Sequence, residues 1–267
     1  MRPDPLAVAA AIRETAEAEV LPRFRRLAAA DRWEKSPGAV VTVADEAAEA
    51  RLTALLTGLL PGARIVGEEM FETTPDAYDA LAGDDPVWVI DPVDGTANFA
   101  DGKPMFAMIV ALVRHGRTLM GWIHDPVRNR TVIAETGNGA YEDGVRLRIE
   151  ASAPPLAGMA GALGARLRKD PEVTGRFGAL QGSRCCGQDY LSLAANRLHF
   201  ALYRNLKPWD HAAGALIHAE AGGEGRGLDG APYGPQRIGK GASLLLAPDP
   251  DTWQAIHAAL AAPIARL

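Results

Sequence analysis

Two aspartates, Asp91 and Asp94, are the residues whose surroundings most clearly indicate chemistry. They follow the apolar run at residues 87–90 and precede Gly95-Thr96, so the sequence predicts a buried strand that ends in acids and leads into a helix. We expect the two carboxylates to converge at the carboxyl end of that strand. Their repulsion is costly unless a cation lies between them. Magnesium favours such oxygen ligands, commonly together with a substrate phosphate.

Other acids could complete this site. Glu68 and Glu69 follow a short apolar run at residues 63–66, and Asp210 opens the alanine-rich segment at residues 212–217. Each acid also has a simpler explanation. Asp210 could complement the dipole of the helix that it begins, and Asp91 and Asp94 could be ordinary turn residues.

The combined pattern resembles the inositol monophosphatase family of magnesium-dependent phosphatases. The resemblance covers nearly the whole chain, because the matching segments keep the family's order and separation. They are the Val-Thr-x-x-Asp element at residues 41–45, Gly67-Glu68-Glu69, the motif at residues 91–96 and the Trp-Asp segment at residues 209–214.

The resemblance implies a layered αβαβα sandwich of mixed helices and strands with two magnesium ions at its centre. Glu68, Asp91 and the backbone carbonyl of Val93 would hold one ion, and Asp91, Asp94 and Asp210 would hold the other. Two such ions can activate a water molecule and stabilise the leaving oxygen in an in-line displacement. Sensitivity to lithium is a further expectation.

The resemblance also implies roles for Thr96, Glu68 and Asp45 in catalysis. Thr96 and Glu68 would orient the attacking water and help to deprotonate it. Asp45 would act through water or help to place a weak third metal. Asp45 also lies three residues after Thr42, the spacing of a capping box, so it could cap a helix instead, and both roles can hold together.

Substrate recognition is where the sequence departs from inositol-selective relatives. Those relatives carry a glutamate at the position of Tyr203, seven residues before the Trp-Asp aspartate, and tyrosine is a weaker acceptor than a carboxylate. Arg184 and Arg204 could meet a second phosphate or a carboxylate, or serve only solubility. The expected substrate-binding residues are Asp94, Gly95, Thr96, Gln188, Asp189, Tyr203, Arg204 and Asp210.

Gly95 and Thr96 are expected to bind the phosphate that reacts. Gly95 lacks a Cβ, so the backbone can approach a phosphate closely, and the following helix start offers free N–H groups. A turn glycine without any such role is the alternative.

Composition restricts the partners. The chain has 267 residues, 48% of them hydrophobic, and a formal net charge of −5, so it can bury a large core but offers no general attraction to nucleic acid or an anionic membrane. No apolar stretch is long enough to span a bilayer, and the start does not look like a signal peptide. We therefore expect a cytoplasmic location. The partners expected with the family resemblance are a small phosphate ester and a second copy of the chain in a homodimer. Cys185 and Cys186 are expected to be buried thiols.

The remaining patterns predict the elements that position the site. Apolar spacing predicts one helix over residues 5–29, a second helix after Thr42 and a last helix over residues 252–261. Strand-like runs at residues 106–113, 119–124, 131–135 and 145–149 indicate an antiparallel meander, and residues 198–203 another strand. A change of pattern near residue 151 divides the chain into a half at 1–150 with most metal ligands and a half at 151–267 with Asp210.

We therefore expect a magnesium-dependent phosphomonoesterase that acts on a small phosphorylated metabolite, such as an inositol phosphate. Histidinol phosphate, fructose bisphosphate and adenosine 3′,5′-bisphosphate are alternative substrates of the same metal core. A binding protein that keeps the site but does not turn over is the alternative from another class.

Overall fold

The N-terminal part of the chain supplies two helices and a hairpin. The structure is a computed structural model that describes residues 2–36, 38–71, 75–151 and 153–266. The first elements are α1 (Pro5–Thr15), a π-helical turn (Ala16–Val20), β1 (Arg32–Ser36), β2 (Ala39–Thr42) and α2 (Val43–Leu59). The prediction of one helix over residues 5–29 is wrong at its C-terminal end. Pro22 lacks an N–H and restricts Leu21, so regular helix cannot continue through it.

The capping box at the start of α2 is confirmed. The Thr42 hydroxyl accepts a hydrogen bond from the Ala44 N–H at 3.2 Å, and Asp45 accepts one from the Thr42 N–H at 2.9 Å. The helix that follows is amphipathic, and Ala48, Leu52 and Leu56 are fully buried. Asp45 thus has a structural role whatever else it does.

A seven-stranded sheet follows, in the order β3-β4-β5-β6-β7-β8-β9. Only the β3–β4 pair is parallel, and the rest forms the expected antiparallel meander. The expected strand at residues 145–149 ends at Arg146, and the sequence did not indicate β8, which begins in a glycine-rich turn. The strands are β3 (Arg64–Gly67), β4 (Val87–Asp94), β5 (Ala107–Arg114), β6 (Arg117–Asp125), β7 (Arg130–Glu135), β8 (Gly139–Glu142) and β9 (Val145–Arg146). Two short helices lie between them, α3 (Glu68–Phe71) and α4 (Thr96–Ala100), with a 3₁₀ helix at Pro75–Ala82.

The C-terminal part forms a five-stranded sheet in the order β11-β10-β12-β14-β13. Its strands are β10 (Gly161–Ala162), β11 (Leu180–Gln181), β12 (Phe200–Leu206), β13 (Glu224–Arg226) and β14 (Gly239–Ala247). Its helices are α5 (Ala165–Arg168), α6 (Pro171–Thr174), α7 (Cys186–Ala194), α8 (Pro208–Glu220) and α9 (Pro250–Ala265). The last helix therefore extends beyond the predicted residues 252–261 at both ends. The proposed division at residue 150 falls between the two sheets.

Three apolar clusters connect these elements into five layers. One cluster joins α1 and α2 to a face of the seven-stranded sheet through Ile12, Leu52 and Trp88. The central cluster packs α7 and α8 between the two sheets, and the third joins α9 to the outer face of the five-stranded sheet. The order of layers is αβαβα, as expected. Both faces of β4 are covered, which explains why its apolar run does not alternate with polar residues.

The close packing of α7 against α8 gives a test of this architecture. A Cβ at Gly214 in α8 would lie 2.1 Å from the Tyr190 ring of α7, whereas a Cβ at Gly58 in α2 would meet nothing within 4 Å. We expect Gly214→Ala to lower the free energy of unfolding by about 1–3 kcal/mol because the core would be overpacked. Gly58→Ala should raise it by about 0.5–1 kcal/mol because alanine favours helix. Urea unfolding of both variants measures the difference, and two changes of the same sign would contradict this packing.

Candidate active site

A β-bulge at the end of β4 determines how Asp91 and Asp94 are placed. Residues three apart in a regular strand point to opposite faces. Here Asp91 pairs with Ile109 and Asp94 pairs with Ala107, so an advance of three residues along β4 is matched by only two residues along β5. The one extra residue in β4 shifts the alternation of its side chains between the two faces of the sheet. Both carboxylates are buried, with 1% and 8% of their residue surface exposed, and burial raises the pKa of each, while the charge of Asp94 raises that of Asp91 further.

The start of α7 holds the Asp94 carboxylate. The Gly187 N–H donates to it at 2.5 Å, the Cys186 N–H at 3.3 Å and the Cys185 thiol at 3.0 Å. These donors lower the pKa of Asp94, but burial outweighs them and raises it overall. The two cysteines are free thiols, and Cys185 is buried as expected, whereas Cys186 is only partly buried. Their segment therefore orients an acid of the site.

Glu49 of α2 fixes the segment that carries Glu68. Its carboxylate accepts hydrogen bonds from the N–H groups of Glu69 at 2.9 Å and Met70 at 2.7 Å, at the start of α3. A Cβ on Gly67 would lie 2.3 Å from the same carboxylate, so glycine is needed there. Glu69 also forms an ion pair with Lys35 of β1.

Thr96 and Asp45 meet beside the end of β4. The Thr96 hydroxyl lies 2.9 Å from the Val93 carbonyl and 3.0 Å from Asp45 Oδ1, and its single proton can serve one of these acceptors at a time. Burial raises the pKa of Asp45 to about 7, against hydrogen bonds from Thr42 that lower it. Asp45 therefore caps α2 with one oxygen and contacts Thr96 with the other.

Gly95 makes the sharp turn between β4 and α4. Its φ of +88° lies in the left-handed region that favours glycine. A Cβ there would also approach the Met105 carbonyl to 2.9 Å and Cys185 Cβ to 3.0 Å. A side chain would thus be strained and crowded, so the turn exposes backbone next to Asp94.

Asp210 enters from the second half of the chain. It lies in the first turn of α8, is partly exposed, and its backbone carbonyl accepts a hydrogen bond from the Cys186 thiol at 3.0 Å. Burial and then the charge of Asp94 raise its pKa to about 8, while Lys207 lowers it. A helix-dipole role alone would lower the pKa of such an acid, so burial and the charge of Asp94 outweigh the helix dipole here.

The four acids form one electrostatic cluster that fits divalent cations. Burial raises the pKa of Glu68 and of Asp91 well above their ordinary values, and in each case the other acids raise it further. Asp91 Oδ1 is buried without a hydrogen-bond partner among the residues that the structure describes. A buried oxygen without a hydrogen-bond partner is costly unless another group binds it, and hard cations bind carboxylate oxygens.

The side chains of this cluster are not arranged as a complete metal site. Across residues 2–71 and 75–266, leaving aside 37 and 152, no three Asp, Glu, His or Cys side chains are already arranged to hold an ion. The fit to a divalent cation therefore depends on the donor chemistry and on the orphaned Asp91 oxygen. Glu68, Asp91, Asp94 and Asp210 are the side chains that could hold it.

A cleft of approximately 910 Å³ opens beside these acids. Asp94, Asp189, Tyr203, Arg204 and Asp210 all line it. The Tyr203 hydroxyl donates to Asp189 at 3.4 Å, so a carboxylate from α7 lies beside the position where inositol-selective relatives are expected to carry glutamate. Burial raises the pKa of Asp189 to about 6.

Gln188 does not belong to this cleft. Its amide donates to the Phe106 carbonyl at 2.9 Å and to Asp125 at 3.0 Å, and it is buried. Gln188 was expected to contact substrate, but residues 188 and 189 are neighbours on a helix and point to different sides, so the structure places it away from the cleft that Asp189 lines. Gln188 joins α7 to the seven-stranded sheet instead.

Sequence reasoning missed three residues that position the site. Glu49 holds α3, Lys35 pairs with Glu69, and the Asn98 amide bridges the carbonyls of Met105 and Ser183 at 2.8 Å each. Asn98 thus ties the turn after β4 to the segment before α7. Of these, only Asn98 had a visible signal, because it lies in the same motif as Asp91 and Asp94.

Similarity to known proteins identifies the family. The profile of the inositol monophosphatase family matches residues 4–266. This chain belongs to the inositol monophosphatase family. It is therefore a phosphatase, a hydrolase of phosphate esters. Over 202 residues it is 34% identical to a Thermotoga maritima protein named fructose-1,6-bisphosphatase/inositol-1-monophosphatase, a match that covers 72% of this chain and 74% of the relative.

Two further relatives show the range of the family. The Nus factor SuhB of Escherichia coli K12 is 35% identical over 205 residues, covering 73% of this chain and 74% of that protein. The solved structure of the extragenic suppressor protein suhB from Bartonella henselae superposes with a TM-score of 0.79 at 23% identity, covering 96% of this chain and 97% of that one. That structural similarity supports the αβαβα fold.

The pKa values of this phosphatase predict how its stability depends on pH without metal. Asp45 titrates near 7 and Asp210 near 8, far above the ordinary 3.8 of the unfolded chain. The native state therefore holds more protons, so its stability falls as pH rises through this range. Burial lowers the pKa of His124, His211 and His218, so these groups oppose the trend, and their effect is half gone at pH 6.5 and fades by about pH 7.5.

We expect the free energy of unfolding in EDTA to fall between about pH 6.5 and 8, by at most about 1.4 kcal/mol per pH unit for each proton lost. Saturating magnesium should remove most of this loss of stability, because the bound cation neutralises the carboxylates that protons neutralise at lower pH. Thermal and urea unfolding at both pH values, with and without magnesium, measure the effect. A magnesium stabilisation that is larger at pH 6.5 than at pH 8 would contradict the assignment.

Proposed function

We propose that this phosphatase is a magnesium-dependent phosphomonoesterase that hydrolyses a small phosphorylated sugar or polyol. The observation that supports the proposal most strongly is the group of four acids, Glu68, Asp91, Asp94 and Asp210, of which Asp94 and Asp210 line the cleft. Their pKa values are raised by burial, and one buried Asp91 oxygen has no partner in the described part of the chain. A group of carboxylates cannot bind a phosphate unless cations first neutralise their charge.

Two magnesium ions would supply that neutralisation and would lower the pKa of the attacking water. Glu68, Asp91, Asp94, Asp210 and the Val93 carbonyl would hold them, with a weak third ion as an alternative that involves Asp45. Phosphoryl transfer then depends mainly on positioning and charge. No nucleophilic side chain is required.

Thr96, Asp45 and Glu68 would position the water and take its proton. When the Thr96 hydroxyl donates to Asp45, its lone pairs are free to accept a hydrogen bond from the water. Glu68 would accept the proton that the water loses as its oxygen bonds to phosphorus. The bond to the leaving oxygen breaks on the opposite side, and that oxygen gains a proton from solvent. The Gly95 backbone would lie against the phosphate.

The leaving group would occupy the cleft, where Asp189 and Tyr203 offer hydrogen bonds to hydroxyl groups. The name of the Thermotoga maritima relative supports sugar and polyol phosphates as candidates. Fructose bisphosphate and inositol phosphates are therefore proposed ahead of histidinol phosphate and adenosine 3′,5′-bisphosphate. A cytoplasmic location, a homodimer and lithium sensitivity stay predictions. No helix among the described residues has the length and apolar character that crossing a membrane requires.

Release of inorganic phosphate from a panel of sugar, polyol and nucleotide monoesters tests the proposal. We expect hydrolysis with magnesium and background rates with EDTA. Binding of phosphate esters without hydrolysis of any panel member would instead favour the non-catalytic alternative.

Thr96 gives the sharpest prediction for a single residue. Loss of its hydroxyl in Thr96→Ala should lower kcat by about 10²-fold or more and change KM much less, because the group orients the water and not the ester. Thr96→Ser keeps the hydroxyl and is the matched control, with a kcat near that of the parent. Equal kcat values for the parent and the Thr96→Ala variant would show that Thr96 only begins α4.

A further inference from the structure

The start of α7 is hydrogen-bonded to two acids of the site that come from different halves of the chain. The Gly187 N–H and the Cys185 thiol donate to the Asp94 carboxylate, at 2.5 and 3.0 Å. The Cys186 thiol donates to the backbone carbonyl of Asp210 at 3.0 Å. Asp94 ends β4 and Asp210 lies in the first turn of α8, so α7 connects the end of a strand to the start of a helix.

Tyr190 adds a second contact between α7 and the start of α8. It follows Cys186 by four residues, so the two side chains lie on the same face of α7. The Tyr190 hydroxyl lies 3.1 Å from His211 Nδ1, and its ring fills the space that a Cβ on Gly214 would need. Tyr190 is buried, so water does not compete for its hydrogen bond. The first turns of α8 are therefore fixed to α7 by two hydrogen bonds and by close packing.

The other acids of the site are held without α7. Asp91 belongs to β4 itself, and Glu49 of α2 accepts the hydrogen bonds that fix the segment after Glu68. In the proposed function, one ion would be held by Glu68, Asp91 and a backbone carbonyl. The second ion would be held by Asp91 together with the two acids that α7 contacts. Only this second ion depends on how α7 places its ligands.

We propose that Cys186 and Tyr190 are positioning residues for the second ion, on which they act through Asp210. The inference rests on the proposed function and adds the element that sets the separation between Asp94 and Asp210. Groups that hold metal ligands in place change the metal affinity about 10- to 100-fold when they are lost. Removal of either contact lets the first turn of α8 shift away from Asp94. The affinity for the second ion then falls although all of its ligands are still present.

Manganese binding tests the proposal without turnover. Manganese prefers the same oxygen ligands as magnesium, and the electron paramagnetic resonance signal of free Mn²⁺ measures how much of it is bound. Asp210→Asn should identify the second ion, because it removes a ligand of that ion alone. Cys186→Ala and Tyr190→Phe should weaken the same ion about 10-fold and leave the other ion within about 2-fold of the parent.

A conservative variant and two controls separate positioning from general damage. Cys186→Ser keeps a hydrogen-bond donor, so its affinity for the second ion should lie closer to the parent than that of Cys186→Ala. Ser192→Ala changes the second half of α7, where the Ser192 hydroxyl contacts Arg197 at 3.4 Å. Tyr141→Phe changes β8, which carries none of the four acids. Both controls should keep the affinity of the parent for both ions, and melting temperatures in EDTA establish that every variant folds.

The magnesium dependence of hydrolysis gives a second readout. The magnesium concentration that gives half the maximal rate should rise about 10-fold in Cys186→Ala and in Tyr190→Phe. Because the substitutions affect occupancy of the ion and not the reaction itself, kcat at saturating magnesium should return to within about 3-fold of the parent. A kcat that stays far lower at saturating magnesium would contradict a role through the ion.

The outcomes separate this inference from the proposed function. If Asp210→Asn weakens one ion but Cys186→Ala and Tyr190→Phe keep the affinity of the parent, the inference is wrong and the two-ion site is intact. Equal weakening of both ions would also overturn it, because the effect would not be transmitted through Asp210. A parent protein that binds no manganese, or that hydrolyses esters equally well in EDTA, would refute the proposed function itself.

Discussion

The repulsion among buried carboxylates is the constraint to which most of the structure around the site responds. Glu68, Asp91, Asp94 and Asp210 lie close enough for their charges to raise one another's pKa, and burial adds to the effect. A protein selected only for stability would not place acids in this way. The cost is understandable if a cation completes the site, because the same low-dielectric surroundings that penalise the bare acids strengthen their hold on a divalent ion.

The scaffold keeps these acids in place through bonds that are unrelated to a metal. Backbone N–H groups of α7 hold Asp94, Glu49 of α2 holds the segment after Glu68, and the close packing of α8 on α7 brings in Asp210. These supports come from two helical layers, the outer layer that contains α2 and the central layer that contains α7 and α8. The site therefore depends on packing between distant segments, since loss of either layer would release one of its acids.

The sequence predicted the parts of the site that lie in continuous motifs. The acids at the end of β4, the glycine turn and the capping box at Thr42 and Asp45 all depend on neighbours in sequence, and local chemistry is sufficient to predict them. Glu49, Lys35 and the anchoring role of Cys185 depend on contacts between distant segments, so no local pattern reveals them. The bulge in β4 was equally invisible, although it decides where Asp91 and Asp94 point.

The incorrect expectations also have physical reasons. The first helix ends early because Pro22 interrupts it, and β8 was not predicted because it has only four residues and begins at the glycine of a turn. Gln188 was assigned to the substrate by sequence proximity, but the helical twist turns it toward Asp125. The layer order, in contrast, could be expected in full, since the family resemblance implied it.

The stability of an Asp91→Asn variant tests the central claim most directly. Asparagine has nearly the same shape but removes a charge from the cluster, so in EDTA at pH 8 we expect the variant to be more stable than the parent by about 1–2 kcal/mol, and to gain little from magnesium. Asp125→Asn is the control, because Asp125 is equally buried but accepts hydrogen bonds from Arg128 and Gln188, and its loss should destabilise under both conditions. An Asp91→Asn protein that is less stable in EDTA and still gains fully from magnesium would contradict the account.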